Sequence, residues 1–504
     1  MNEFPNPKQS LPISSPSFRN QLTLLSCIVI AAGTGLISAG ILLLGHLPLK
    51  YTIAAFLTIP MGLMFLLSKD KKNFFLCSIV FFLPFASMDF FLGSQPKLFH
   101  AGGAQSVLQI NMVDLLLVAA YVHLIIADRI KLSNKSRLPI KSTISIGLFL
   151  LWCGLSIILS EHKLLGITSL FDLTKVFLLW IYMVLSIRND VDIDAVVKYL
   201  IIGLAIQGAI GIYQAYFGFS SWASSITHGD TTTMESLDKR MFLRIGGTIG
   251  WTTVFAQYLC LLIPLSLAIL VTSSTLHTTL KMLVCLFFSI TALIFTLSRA
   301  GWLSLFVGSI ITGILLYRHN NKIIRKRLTL SFVGVTFLFL LFFPLMKERI
   351  LSDDYGSAMA RLPMMRVAWN IIEENPFFGT GLNTYSEIMH RYDPKHLIEG
   401  FEYPVHNMYL FIAAEIGIPG LLFFLIFVGS IAVGLLRMPW KSRGSLVCIS
   451  IGLLGGILAL LTHGFVEQGI KADIQLWYVF SAVCGLAAAM PGVLGNSIVD
   501  PPRQ

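Results

Sequence analysis

The chain has 504 residues, of which 55% are hydrophobic and only 12% charged, with a formal net charge of +11. A soluble domain carries roughly 25% charged residues, so this chain has too little charge to cover a water-facing surface and a soluble globular fold is excluded. Its basic residues gather in short loops between apolar runs, which is how membrane orientation is written and not how a nucleic-acid surface is built.

In chain order, a polar N-terminal segment, 1–21, precedes about 14 apolar runs, each near the length of roughly 20 residues that crosses a hydrocarbon core. They fall at 22–44, 51–67, 74–92, 110–127, 143–160, 166–187, 197–217, 252–272, 281–297, 301–317, 329–346, 407–435, 446–463 and 474–490. The first is too long for a signal-peptide core and lacks a clear small-residue cleavage site, so it reads as a retained span. The run at 74–92 contains Pro84 and Asp89 and can also be read as re-entrant. Losing one neighbouring pair lowers the count to about 12. The expected fold is an all-α polytopic membrane protein of about 12–14 transmembrane helices. The seven cysteines all lie in or at the edge of apolar runs, with no C-x-x-C pair, and read as buried small hydrophobes.

Orientation follows from lysine and arginine. With the N-terminus in the cytoplasm, the basic loops around Lys69–Lys72, Arg129–Lys141, Arg318–Arg327 and Arg437–Arg443 all lie inside. The short outside loops hold single basic residues: Lys50, Lys97, Lys163, Arg299 and Lys471. Two longer polar segments, near 218–251 and 347–406, fall outside, and loops of the latter length are usually functional. Within it, Ser357–Asn375 predicts an amphipathic helix, with Ala360, Leu362, Val367, Ile371 and Ile372 alternating with Arg361, Arg366, Glu373 and Glu374. Asn375-Pro376 stops it, and Gly379 and Gly381 make a turn. A surface helix lying on the membrane satisfies the same pattern without any chemistry.

Three polar residues stand at the outer boundary: Arg244, Arg299 and His406. Arg299, in Ser298-Arg299-Ala300-Gly301, lies between two apolar runs with almost no loop, where an arginine is costly unless it reaches water, headgroups or a partner. It is either a snorkelling residue at a helix end or part of an anion site, since a guanidinium offers bidentate donors suited to phosphate oxygens. Histidine titrates near neutrality and can take a proton from an attacking hydroxyl, although a lone histidine is more often structural. His390 and His396 lie in the same loop. Asp172 and Lys175, at i and i+3, read first as a structural ion pair, with a substrate or ion path as the alternative. Asp89, Asp114 and Glu415 have no assigned role. There is no Gly-Lys pair for a P-loop and no H-E-x-x-H, and the single D-x-D, Asp192-Ile193-Asp194, lies in a cytoplasmic loop. No metal, no nucleotide and no other cofactor is expected.

Four motifs in order bear a further likeness. They are Arg244-Ile-Gly-Gly247-Thr248-Ile-Gly250 with Phe255-Ala256-Gln-Tyr258-Leu259; Thr296-Leu297-Ser298-Arg299-Ala300-Gly301; Arg361-Leu-Pro-Met-Met-Arg366 through Asn375-Pro376-Phe-Phe-Gly379-Thr-Gly381; and His406-Asn407-Met-Tyr409-Leu410 with Glu415-Ile-Gly417-Ile-Pro419-Gly420. Together these resemble the O-antigen ligase and polymerase superfamily, polytopic proteins that transfer glycans carried on polyprenyl diphosphate. The sequence departs from the family pattern at Trp251-Thr252-Thr253, where Asn-Pro-Asn is frequent, and at Met365, where an aromatic is frequent.

The resemblance implies that Arg244 and Arg299 bind the diphosphate and that His406 is the catalytic histidine. Arg361, Arg366, Asn407 and Tyr409 become candidate substrate-binding residues. It implies a lipid-linked glycan donor, a glycolipid or glycan acceptor such as lipid A–core, membrane lipids as surroundings, no nucleic acid, and a place in the bacterial inner membrane with the site on the outer face. The alternatives within the superfamily are a polymerase or a protein oligosaccharyltransferase; a transporter or flippase of lipid-linked glycans is the alternative from another class. The expected organisation is N-terminal helices over 22–243, a ligase-like core over 244–435, C-terminal helices over 436–490 and a cytoplasmic tail, 491–504.

Overall fold

A computed structural model describes residues 60–85, 90–92, 108–128, 138–218, 233–237, 240–318, 322–351, 357–398, 403–438 and 445–499. The chain divides into two compact units, 1–74 and 75–504. In the first, residues 60–67 are helical and Asp70 Oδ1 accepts from Asn73 N at 2.9 Å where helix α1, Lys71–Phe82, begins.

The described residues of the second unit are mostly helical. After α1 come α2 (Met112–Asp128), α3 (Ile140–Leu159), α4 (Lys163–Ser186), α5 (Asp190–Phe217), α6 (Thr252–Thr272), α7 (Leu276–Phe295) and α8 (Arg299–Arg318). They are followed by α9 (Lys322–Leu341), α10 (Phe343–Leu351), α11 (Ser357–Glu374), the short α12 (Tyr385–Ile388), α13 (Met408–Leu436), α14 (Ser445–His463) and α15 (Ile474–Val499). Among the described residues, nine helices are long and apolar enough to cross a membrane, or ten if α9 and α10, bent by 64°, form one broken span. In lipid an unpaired backbone group is costly, so apolar runs of this length close their hydrogen bonds within a helix. The expected spans at 143–160, 166–187, 252–272, 301–317 and 446–463 match helices to within a few residues at each end.

Besides the bend between α9 and α10, which falls inside the expected run 329–346, the structure differs from expectation at four places. The run at 74–92 is not one spanning helix: α1 ends at Phe82, a 3-10 turn Leu83–Phe85 follows, and Phe90–Leu92 is a strand, β1, paired antiparallel with β2, Leu108–Ile110. Pro84 sits in that turn, where its missing N–H would break an α-helix. A second hairpin, β3 (Thr233–Leu237) with β4 (Arg240–Arg244), occupies the loop before α6. The run at 407–435 is broken at Gly417, whose φ of 74° is not helical, two residues before Pro419. The helix of the last run continues to Val499, beyond the expected end of its span. The expected span at 22–44, most of that at 51–67, Asp89 and Cys27 lie outside the described residues; the other six cysteines form no disulfide among the described residues.

The core is formed by α6 and α14, both buried along nearly their whole length, with α8 against α14 and α6. A Cβ on Gly308 of α8 would lie 2.6 Å from the Gly455 carbonyl oxygen of α14, so only glycine allows these backbones to touch. In lipid, where burial gives no hydrophobic drive, such close van der Waals contact holds helices together. α5 packs on α7, α3 on α13 and α4 on α15.

The Asp172–Lys175 pair forms at 3.0 Å and belongs to a larger buried group. Lys175 Nζ is also 3.0 Å from Asp114 Oδ2 and donates to the Gln109 carbonyl at 2.6 Å, and Tyr478 Oη donates to Asp114 Oδ1. Asp114 thereby acquires a partner that links α2, α4 and α15.

Candidate functional site

The segment carrying Arg244 is held from inside the bundle. Gln207 and Gln214, seven residues apart on α5 and both buried, face the loop that follows β4. Gln214 Nε2 donates to the Gly247 carbonyl at 2.8 Å, and Gly247 N donates back to Gln214 Oε1 at 2.9 Å. Gln207 Oε1 accepts from Thr248 N at 3.1 Å. Two polar residues at i and i+7 in an apolar span are a readable signal for such a clamp, and sequence reasoning missed it. With the loop pinned, Arg244 Nε donates to the Thr296 carbonyl at 3.1 Å.

Thr296 opens the tight turn that leads into α8. Leu297 is buried with φ of 52°, a conformation costly for a side chain with a Cβ. Ser298 caps the helix, its Oγ accepting from Gly301 N at 3.1 Å, and Arg299 is the first residue of α8. Buried Arg349 of α10 donates from Nε to the Leu297 carbonyl at 3.0 Å. Arg244 and Arg349 thus grip neighbouring carbonyls of the turn that carries Arg299. These cationic side chains gather at a helix N-terminus, itself the positive end of the helix dipole, which favours an anion. Arg349 was not singled out in the sequence; its place depends on the bend between α9 and α10.

His406 stands two residues before α13. Its Nδ1 is 3.0 Å from Glu467 Oε2, and Glu467 Oε1 is 2.9 Å from Arg361 Nη2 on α11. Glu467 lies in the short connection after α14 and is buried, whereas the Arg361 and His406 side chains are 37% and 25% exposed. Burial pushes the Glu467 carboxyl up, but the hydrogen bond and charge of His406 and the charge of Arg361 outweigh it and hold it below the ordinary glutamate value. His463, the last residue of α14, is buried within charge range of Glu467, and neither of its ring nitrogens has a hydrogen-bond partner.

Asn407 caps α13: its Oδ1 accepts from Tyr409 N and Leu410 N at 3.0 Å, and its Nδ2 donates to the Phe465 carbonyl at 3.0 Å. Tyr409 Oη donates to the Leu461 carbonyl at 2.7 Å. Both side chains are therefore engaged in tying α13 to the end of α14. Arg366 is exposed, and five residues after Arg361 it points about 140° away from it around α11. His390 and His396 are exposed on the same loop.

Helix α11 does not lie free on a surface. Met364, Val367, Ala368, Ile371 and Ile372 pack on Phe411, Ala413 and Ala414 of α13 and on Tyr385, Ile388 and Met389. Leu362, expected on the apolar face, is instead 61% exposed. The turn after α11 is seated on the break in α13, where Thr380 N donates to the Ala414 carbonyl at 3.1 Å, Gly381 N to the Glu415 carbonyl at 2.9 Å and Ile418 N to the Pro376 carbonyl at 2.8 Å. Buried Glu415 is 2.9 Å from Lys471 Nζ.

The arginine turn and the connection that carries Glu467 both border the first turns of α6. Ala256 Cβ abuts Gly301 of α8. The next residue, Gln257, approaches Gly469 in the connection after α14, and Met408 N donates to the Gly464 and Glu467 carbonyls of that connection at 2.8 and 3.1 Å. The buried Gln257 Oε1 has no hydrogen-bond partner there.

Residues 284–425, which include Arg299, Arg361 and His406, match the family model of O-antigen ligase. Over those residues the chain is similar to O-antigen ligase. No curated protein matches the sequence. The O-antigen ligase match runs from within α7 to within α13, so it takes in the arginine turn, α11 and the His406 strap. Arg244 and Glu467 fall outside the matched residues and reach the site through the fold. Among the described residues the nine long apolar helices make the chain a multi-pass membrane protein, and the match supports glycan transfer of the O-antigen ligase kind in general.

Proposed function

We propose that the protein transfers a glycan from polyprenyl diphosphate to an acceptor such as lipid A–core at the outer face of the bacterial inner membrane. The O-antigen ligase match spanning both Arg299 and His406 carries this reading. Arg244 and Arg299 would hold the diphosphate at the N-terminus of α8, and Arg361, Arg366, Asn407 and Tyr409 remain the candidate substrate-binding residues of the family resemblance. The acceptor hydroxyl gives its proton to His406 Nε2 as its oxygen attacks C1 of the first sugar. The C1–O bond to the diphosphate breaks, and its electron pair leaves on the phosphate oxygen, where the guanidinium groups meet the growing charge. Attack opposite the leaving group inverts the anomeric centre. The diphosphate activates C1, so no nucleotide or metal is called for. The concentration of basic residues in the loops at the other end of the spans supports an outer-face site.

The test is transfer by purified protein from a polyprenyl-diphosphate glycan to candidate acceptors, with chelator and without nucleotide. Arg299→Ala should lower kcat by roughly 10²–10³-fold, as expected for loss of one donor to a developing anion, while the protein inserts normally. Wild-type transfer by that variant discards the diphosphate site. A product lengthened on its lipid carrier would identify a polymerase instead, and a glycosylated protein an oligosaccharyltransferase.

A further inference from the structure

Within this glycan-transfer reading, we infer that Glu467 is a positioning residue for His406, and that Arg361 acts by clamping Glu467 and not by holding substrate. Three elements far apart in sequence meet here. The Glu467 carboxylate accepts from His406 Nδ1 at 3.0 Å on one oxygen and from Arg361 at 2.9 Å on the other. An ionised carboxylate can only accept, so the proton of neutral His406 sits on Nδ1. That leaves Nε2 with its lone pair, the form needed to receive a proton from a hydroxyl. Arg361 uses the second oxygen and so fixes the carboxylate plane.

The backbone reinforces the geometry. Met408 N donates to the Glu467 carbonyl at 3.1 Å, and Glu467 N donates to the His463 carbonyl at 3.1 Å, continuing the last turn of α14. The main chain of Glu467 is thus tied to both the helix after His406 and the helix before itself. The charged and titratable groups acting on this carboxylate are His406 from the strap before α13, Arg361 from α11 and His463 from α14. When the acceptor proton arrives on Nε2, the carboxylate balances the imidazolium that forms, as a buried acid does for a histidine base. A guanidinium committed to a buried carboxylate has fewer donors left for a substrate, which is why Arg361 is reassigned.

Two readouts test this. One is the rate at which diethyl pyrocarbonate acylates His406, followed on its peptide by mass spectrometry, with the other histidines as internal references. The second is the kcat and donor KM of glycan transfer. Glu467→Gln keeps the shape and removes the charge; it should slow His406 acylation several-fold and lower kcat by up to roughly 10⁴-fold with donor KM unchanged. Glu467→Asp should recover part of both, and Arg361→Gln combined with Glu467→Gln should be no worse than Glu467→Gln alone. Wild-type acylation of His406 in Glu467→Gln overturns the inference. So does a rise in donor KM that adds to that of Arg361→Gln, which would make both residues substrate contacts. If acylation responds as expected but the wild-type protein transfers no glycan, the transfer reading has failed and the catalytic role of Glu467 falls with it, while the Glu467–His406 coupling stands.

Discussion

Substituting Gly379 by alanine perturbs the contact that seats the outer loop on the broken span. Gly379 has φ of 63°, and an added Cβ would lie 2.6 Å from the Ala414 carbonyl oxygen and closer still to the Glu415 carbonyl group. These neighbours are backbone atoms within the buried part of α13 and cannot swing aside, so the 376–381 turn must lift. The left-handed conformation costs alanine about 1–2 kcal/mol, and crowding in a packed site adds about 1–3 kcal/mol. Lifting the turn weakens the hydrogen bonds from Thr380 N and Gly381 N, worth about 0.5–1.5 kcal/mol each. The terms overlap, and a destabilisation of about 3–6 kcal/mol is expected. In a chain this long each kcal/mol moves the melting point by roughly 1 °C, so Tm should fall by roughly 3–6 °C. The assay is thermal unfolding in detergent by intrinsic tryptophan fluorescence. Trp152 reports directly, because its Nε1 donates to both the Phe377 and Ile416 carbonyls across the same seam. Gly429→Ala is the control, since nothing lies within 4 Å of a Cβ there. A Tm for Gly379→Ala indistinguishable from that control would refute the seating of the loop on the break.

Two further outcomes are expected. Lys471→Met strands the buried Glu415 carboxylate and should destabilise by about 3–5 kcal/mol, whereas Glu415→Gln combined with Lys471→Met should recover most of the loss; equal Tm values for the single and double variants would contradict a buried pair at that break. The depressed titration of Glu467 sets the sign of a pH effect. Its carboxylate contributes stability that is complete above the ordinary value of 4.5 and is lost as pH falls through the lower value of the folded protein. Below about pH 4.5 the Tm of the wild-type protein should therefore decline more steeply than that of Glu467→Gln, and parallel declines there would remove Glu467 from the acid-sensitive groups.

Much of the arrangement was legible because it is local. Arg244, Arg299 and His406 sit in short motifs whose neighbours form the turns and caps that present them, as Ser298 does for α8 and Asn407 for α13. Gly379 and Gly381 were read as a turn, and both have positive φ. The break at Gly417 was hidden by the apolar run around it, although Gly417 and Pro419 together are a breaker signal. Glu467 was overlooked because nothing beside it resembles a site: its partners lie 61 and 106 residues away.

What composition and hydrophobic run length decided alone was the class of fold and the placement of most spans. Lipid offers no partner for backbone polar groups, so an apolar run of sufficient length has one economical conformation whatever its neighbours do. The tertiary structure decided which polar groups meet. Glu467 joins Arg361 and His406, Asp114 joins Lys175, and Gln207 and Gln214 hold the loop of Arg244, because helices distant in sequence pack side by side and buried polar atoms must find partners across those contacts.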